Sequence, residues 1–277
     1  MRDRLIRALA FSSAAFSFSS AHAASFQGLG DLPGGAFASR ATAISDDGRV
    51  VVGAGNYSAT GDLVFFGIGD SPMTEAFRWE SSTGMVGLGS AVPGLFPSGF
   101  SAANSVSSDG SIVVGSSLEG GFIWNEADGL QASSFFSNVA DVSADGEVFA
   151  ANRNSPIVAL RVDTNSVVDL GTLPGQFASL AKGISSDGAV IVGSTAFQQG
   201  RAYRWDATQG MIDLGDLPGH ADSATASRAS ADGSVVVGWA TSPADSTGHV
   251  PTEAFRWVAG EGMHGLSFLG GSDFSLA

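Results

Sequence analysis

The sequence has no cysteine, one lysine (Lys182), two tyrosines and four histidines among 277 residues. Without cysteine there are no disulfides, no thiolate nucleophile and no zinc-thiolate centre, so packing alone must supply stability. The histidines beyond the first two dozen residues are His220, His249 and His264. They lack the short i, i+4 or paired spacing that brings imidazoles to one metal. Lysine, arginine and glutamate are too sparse for long solvent-exposed helices. After the first residues no stretch of 18 consecutive apolar residues occurs, which excludes a helical membrane span in the mature chain.

Glycine is abundant, at 38 residues, without the three-residue period of collagen, and 44% of residues are hydrophobic. That combination fits many short strands joined by tight turns rather than a disordered linker. Residues 1–23, "MRDRLIRALAFSSAAFSFSSAHA", carry Arg2, Arg4 and Arg7, then apolar and small residues, then Ala21-His22-Ala23. This is the pattern of a signal peptide cut before Ala24, which implies export to the periplasm, cell surface or medium. Its removal leaves 10 basic against 26 acidic residues, a balance of −16. Such a surface repels phosphate backbones and excludes nucleic acid as an expected partner. An envelope or extracellular partner is expected instead.

One phrase is written five times: "AISDDGRVVVG" from Ala43, "SVSSDGSIVVG" from Ser105, "DVSADGEVFAA" from Asp141, "GISSDGAVIVG" from Gly183 and "RASADGSVVVG" from Arg228. An Asp-Gly turn between two apolar runs makes a hairpin, with Gly supplying positive φ and Ser and Asp accepting turn N–H groups. Gly48, Gly110, Gly146, Gly188 and Gly233 mark the tips, spaced 62, 36, 42 and 45 residues apart. Each unit has four short runs: small residues, a continuous aliphatic run, an "AFRW"-like run and a "GMIDLG"-like run. Four strands per unit at this period predict an all-β propeller of about five to six blades, possible incomplete closure included; a β-solenoid is the alternative, though its coils need fewer residues. The small first runs suit the crowded axis. Trp79, Trp124, Trp205 and Trp257 would fill the wedge between blades.

The units run over 28–89, 90–130, 131–171, 172–215 and 216–266 of a single repeat domain, 24–277, with the start of a sixth unit at 267–277. The third unit has Val162 for Trp and lacks Gly after its aliphatic run, which predicts looser packing. "SFQGLG" at the start reads as a stray fourth strand, and the two ends are placed to meet and partly close the ring; a truncated chain is the other reading.

Taken in order, "GLGDLPGG", "AFRW" at Ala76–Trp79 and Ala254–Trp257, "AYRW" at Ala202–Trp205 and "GMIDLGDLPG" resemble the HAF repeat family of bacterial exported proteins. The resemblance covers nearly everything after Ala24. It implies an extracellular or envelope-associated repeat protein of unassigned biochemical activity, and supplies no catalytic residues.

Chemistry is sparse in the pattern. Neither G-x-S-x-G nor H-E-x-x-H occurs. No cofactor is expected. Calcium is the one metal the tips leave open, and each tip has only one or two carboxylates (Asp46 and Asp47 at most) where calcium wants six or more oxygens. The tips are similar to the hairpins of sialidase-like propellers, whose chemistry needs an arginine cluster and a tyrosine nucleophile. Here Arg78, Arg161, Arg204 and Arg256 belong to the repeat, which points to stacking or ion pairing. Lys182, Arg228 and Arg40 fall in first runs and would line the axis.

The irregular feature is loop length. From turn Asp to the end of the third run takes 15 to 18 residues in units two to four, 32 in unit one and 25 in unit five. Both insertions belong to the same connection and should emerge on one face. The first contains Leu63, Val64, Phe65, Phe66 and Ile68, the expected partner-contact residues. The function expected is a non-catalytic binding or display scaffold at the cell envelope. The alternatives are a propeller-type glycan hydrolase or lyase, which needs paired carboxylates in a pocket, and a fragment with no activity of its own.

Overall fold

The computed structural model describes residues 27–57, 74–89, 100–195, 200–218, 223–241, 250–268 and 274–277. Those residues form five four-stranded antiparallel sheets and no helix. The first holds β1 (Gly34–Ile44), β2 (Val51–Tyr57), β3 (Thr74–Glu80) and β4 (Gly84–Gly87). The second holds β5 (Ser101–Val106), β6 (Val113–Ser117), β7 (Gly120–Asn125) and β8 (Gly129–Ser133). The third holds β9 (Asn138–Val142), β10 (Phe149–Asn154), β11 (Ile157–Val162) and β12 (Val167–Asp169). The fourth holds β13 (Ser179–Ile184), β14 (Val190–Thr195), β15 (Ala202–Asp206) and β16 (Gly210–Asp213). The fifth holds β17 (Ala224–Ala229), β18 (Val235–Thr241), β19 (Thr252–Val258) and β20 (Gly262–Gly265).

Within each sheet strand order follows chain order. The first strands pack successively on one another, β1 on β5, β5 on β9, β9 on β13 and β13 on β17, so they are the innermost strands of blades around an axis. The fold is a β-propeller with five complete blades, and the ring is not closed. A straight solenoid is excluded by this radial order. The expected unit boundary at 130/131 falls inside β8, so the second blade extends three residues further.

Hydrophobic packing lies between blades. Four buried clusters each join one blade to the next. Between blades one and two, Val50, Val52 and Ala76 meet Ala103, Val113 and Phe122. The later clusters repeat this arrangement, with Trp205 and Trp257 buried against the preceding blade as the wedge argument requires. The third blade departs from expectation. The glycines of the aliphatic runs, Gly53, Gly115, Gly193 and Gly238, pair in register with Phe77, Phe122, Tyr203 and Phe255. In blade three the pair is Ala151 and Leu160, both fully buried. A larger residue on one strand faces a smaller one on the next, so the site stays filled and the packing is not loosened.

At the start of the chain, residues 27–30 form no strand. Asp31 instead accepts the N–H groups of Leu32 and Ala38, and Ser39 donates to the Gly30 carbonyl, which makes this segment the bend that leads into an inner strand. The last residues match the opening of another inner strand. Ser275 Oγ accepts the Ala254 N–H at 2.9 Å and donates to the Ser267 carbonyl, as Ser179 Oγ accepts the Ala159 N–H and donates to the Gly171 carbonyl. Ser267 has φ 65, the conformation Gly171 adopts at φ 72. This end pairs with its own blade through Thr252 and Phe274, not with β1.

Candidate binding face

The two ends of the blades differ in chemistry, and the repeated residues account for one of them completely. At every tip Ser45, Ser107, Ser143, Ser185 or Ser230 donates to the Asp two residues on at 2.5–2.7 Å. The same Asp oxygen accepts the N–H two residues further along at 2.9–3.1 Å. The Ser oxygen accepts the N–H that opens the aliphatic run at 2.9–3.0 Å. At four of the five tips these bonds hold the carboxylate below its ordinary range. Asp232 falls to about 2 through Ser230 and Ser234. Asp47, Asp109 and Asp145 shift the same way through a backbone N–H and the tip serine.

The tips also join the blades. The Asp46 N–H donates to the Ser108 carbonyl, Ser108 to Ala144, Ala144 to Ser186 and Asp187 to Ala231, at 2.9–3.3 Å. Each tip glycine from the second on lies where a Cβ would strike the preceding blade: Gly110 on Val50, Gly146 on Ile112, Gly188 on Val148 and Gly233 on Val190. The repeated arginine reaches across the same seam. Arg78, Arg161 and Arg204 donate Nε to the carbonyls of Gly110, Gly188 and Gly233, each in the next blade, at 3.1–3.3 Å. Each is braced by an acid two residues on, Glu80, Asp163 or Asp206. Asp163 is held at about 2 by the Asn165 N–H, Arg161 and Ser166. Arg78 also lies over the Trp124 ring at 5.9 Å. Stacking and ion pairing are therefore both present at the repeated arginines. Tyr203 is fully buried, and desolvation pushes its hydroxyl above the usual range, so it cannot act as an exposed nucleophile.

The opposite end carries the inner-strand starts and the β2–β3 and β18–β19 connections. Each blade begins inside and runs as a meander, so strand starts and second-to-third connections share one face. Tyr57 and Thr74, and Thr241 and Thr252, the strand ends that bound the two longer connections, stand at this face. Leu63, Val64, Phe65, Phe66 and Ile68 lie outside the described residues, as do His220 and His249.

A second feature of this face was not read from the sequence. Ser39, Ser101, Ser137 and Ser179 each stand six residues ahead of a tip serine, and one or two residues before each is a phenylalanine. Phe37 is 84% exposed, Phe100 43%, Phe135 46%, Phe177 95% and, before Ser275, Phe274 57%. These five are all the exposed phenylalanines among the described residues. The sequence signal was a phenylalanine one or two residues before Ser39, Ser101, Ser137 and Ser179, in four of the five blades, and again before Ser275. It was hidden because its offset varies by one residue and because bends draw attention to glycine and proline.

Inside this rim the inner strands carry Arg40, Lys182 and Arg228, with Asp141 as their one acid. The Arg228 guanidinium donates to the Lys182 carbonyl at 2.9 Å and lies 3.8 Å from Asp141. Asp141 in turn accepts the Val142 and Ile184 N–H groups. Lys182 is exposed. Among the described residues no group of three or more His, Asp or Glu side chains is arranged to hold a metal.

No family model matches this chain, and no curated protein matches it. Solved structures do. TolB from Acinetobacter baumannii aligns at 14% identity and TM-score 0.51 over 82% of this chain and 53% of that one. A putative TolB from Agrobacterium tumefaciens aligns at 15% identity and TM-score 0.48, over 80% of this chain and 70% of that one. The Cps50 (Swd1) β-propeller domain of Myceliophteria thermophila aligns at 12% and 0.48, over 89% and 72%. The chain spans about half the length of the Acinetobacter protein. At these identities the likeness concerns the fold alone, and the fold is the propeller that the inner-strand packing already shows.

Proposed function

We propose that this chain is an exported HAF-type repeat protein acting as a non-catalytic binding or display scaffold at the cell envelope. The observation that carries the reading is the division of labour between the two ends. Repeated Ser, Asp, Gly and Arg side chains are spent on turns and blade-to-blade bonds. Lengthened connections and exposed phenylalanines gather at the other end. A rigid scaffold that presents variable loops on one face is the arrangement that binding proteins use. The basic n-region and Ala21-His22-Ala23 support export.

The test is to fractionate cells and determine the protein's N-terminus by mass spectrometry, with a photo-crosslinker placed in the 54–75 segment. The expected result is a chain beginning at Ala24 outside the cytoplasm, with cross-links to one envelope or extracellular component that vanish when residues 60–70 are deleted. A chain confined to the cytoplasm with Met1 retained overturns the proposal.

A further inference from the structure

The exposed phenylalanine rim and the inner-strand cations occupy successive depths of one opening, and we infer that together they bind an extended polypeptide segment in which apolar side chains are interspersed with carboxylates. The inference rests on the binding-scaffold reading and names the chemistry of the partner for that face.

The rim comes first. Phe37 and Phe177, at 84% and 95% exposure, are almost wholly in water although neither has a role in the core. Rings this exposed, where Phe77, Phe122, Phe149 and Phe255 are buried, point to a contact surface. Their placement is systematic: one stands one or two residues before each of Ser39, Ser101, Ser137, Ser179 and Ser275, all at one end, while no phenylalanine precedes β17 in the fifth unit. Burial of even two such rings supplies the anchoring that aromatic hot spots give an interface.

Charge then selects the occupant. The mature chain holds only ten basic residues against 26 acidic, yet three of the ten lie on inner strands that carry one acid. Elsewhere arginines are matched to neighbouring acids: Arg78 with Glu80, Arg153 with Asp169, Arg161 with Asp163, Arg201 with Asp213, Arg204 with Asp206, and Arg256 with Glu261. Several described acids at the rim end are likewise engaged. Asp31 and Glu75 accept backbone N–H groups, and Asp169 and Asp213 combine an ion pair with a backbone N–H. The tip end, by contrast, bears Asp46, Asp47, Asp109, Asp145, Asp187 and Asp232. The rim end thus combines exposed phenylalanines with the exposed Lys182.

Physical fit distinguishes a peptide from other ligands. A lipid headgroup plane meets the rim but does not descend to Lys182 and Arg228 in mid-strand, and net negative charge opposes approach to an anionic bilayer. Phenylalanine lacks the polar edge through which Tyr and Trp pair with hydroxyl-rich sugars. An extended chain is narrow, about 5 Å between neighbouring strands in a sheet, and offers alternating side chains to rim and axis.

Display selection with a library of random twelve-residue peptides on the purified chain tests the inference. Selected sequences should combine Leu, Ile, Val or aromatic residues with Asp or Glu. Affinity of a selected peptide, measured by fluorescence anisotropy, should fall at least tenfold in Phe37→Ser/Phe177→Ser and in Lys182→Glu, and should weaken with added KCl. All three side chains are exposed, and circular dichroism should show both variants folded. Enrichment of basic peptides, no enrichment, or unchanged binding by both variants overturns the inference. Cosedimentation with phosphatidylcholine vesicles that disappears in the double phenylalanine variant also overturns it and gives the rim to a membrane. If the peptide result is negative while cross-links from the 54–75 segment persist, the scaffold reading stands and only the partner chemistry falls.

Discussion

At residue scale the structure turns on a pairing of small and large side chains across strands two and three. A Cβ on Gly193 would lie 2.0 Å from the Leu180 carbonyl oxygen and 2.8 Å from the Tyr203 hydroxyl, neither of which has room to retreat. Gly193→Ala should therefore destabilise the protein by about 1–3 kcal/mol, the usual cost of overpacking a filled core, measured as a fall in denaturant midpoint. Its partner offers the opposite outcome. The Tyr203 hydroxyl is buried without a hydrogen-bond partner, while the equivalent positions hold Phe77, Phe122 and Phe255. Tyr203→Phe removes a desolvated O–H and should leave the melting temperature unchanged or raise it, with a gain up to about 1 kcal/mol. A marked fall would show that the hydroxyl has a partner. The sequence displays these residues as separate repeat letters, "VVG" and "AFRW". That one exists to make room for the other was not legible, because the contact depends on register, and of the compensating Ala151–Leu160 pair only the missing glycine was read, as a loss.

At element scale the tip hairpin was the most legible unit, since Ser, Asp and Gly act within six residues and turn chemistry is local. Its outward connections were not, because the acceptor of each arginine is a backbone carbonyl about thirty residues further on and carries no side-chain signature. The local bonds make stability depend on pH in a definite direction. Asp163 and Asp232 are held at about 2, below the ordinary carboxylate range, and Asp47, Asp109, Asp145 and Asp206 move the same way. A lowered folded-state value means that the unfolded chain takes up protons first as acid is added. The stabilisation is thus complete above the unfolded carboxylate range and is lost as pH falls from about 4 toward 2. Thermal melts should show a steep drop in melting temperature across that window and a flat profile from pH 5 to 7. Replacing the buried Ser185 by Ala should cost about 1 kcal/mol at neutral pH by removing two of these bonds.

At the scale of the whole molecule the question is how far a local fault spreads. Each cluster joins only adjacent blades, and the blades do not complete a circle. Five sheets in an open arc behave as a one-dimensional stack, whose stability is a sum of blades and nearest-neighbour seams. The number and order of blades could be read from the repeat, because each unit announces its own tip. Incomplete closure was one of the readings the repeat allowed, but the repeat did not decide it, since closure depends on how wide the seams are rather than on any residue type. An open arc predicts position-dependent unfolding. Gly233→Ala would place a Cβ 2.3 Å from Val190 Cγ2 in a residue at φ +66, weakening the seam between blades four and five. Hydrogen exchange should then show β17–β20 losing protection while β1–β12 keep theirs. The same change at Gly146, whose Cβ would meet Ile112 at 2.8 Å, weakens the seam between blades two and three. It should lower protection on both sides of that seam rather than at one end. Equal loss through all five sheets in both variants would mean that the blades unfold as one closed unit, and the open stack would have to be abandoned.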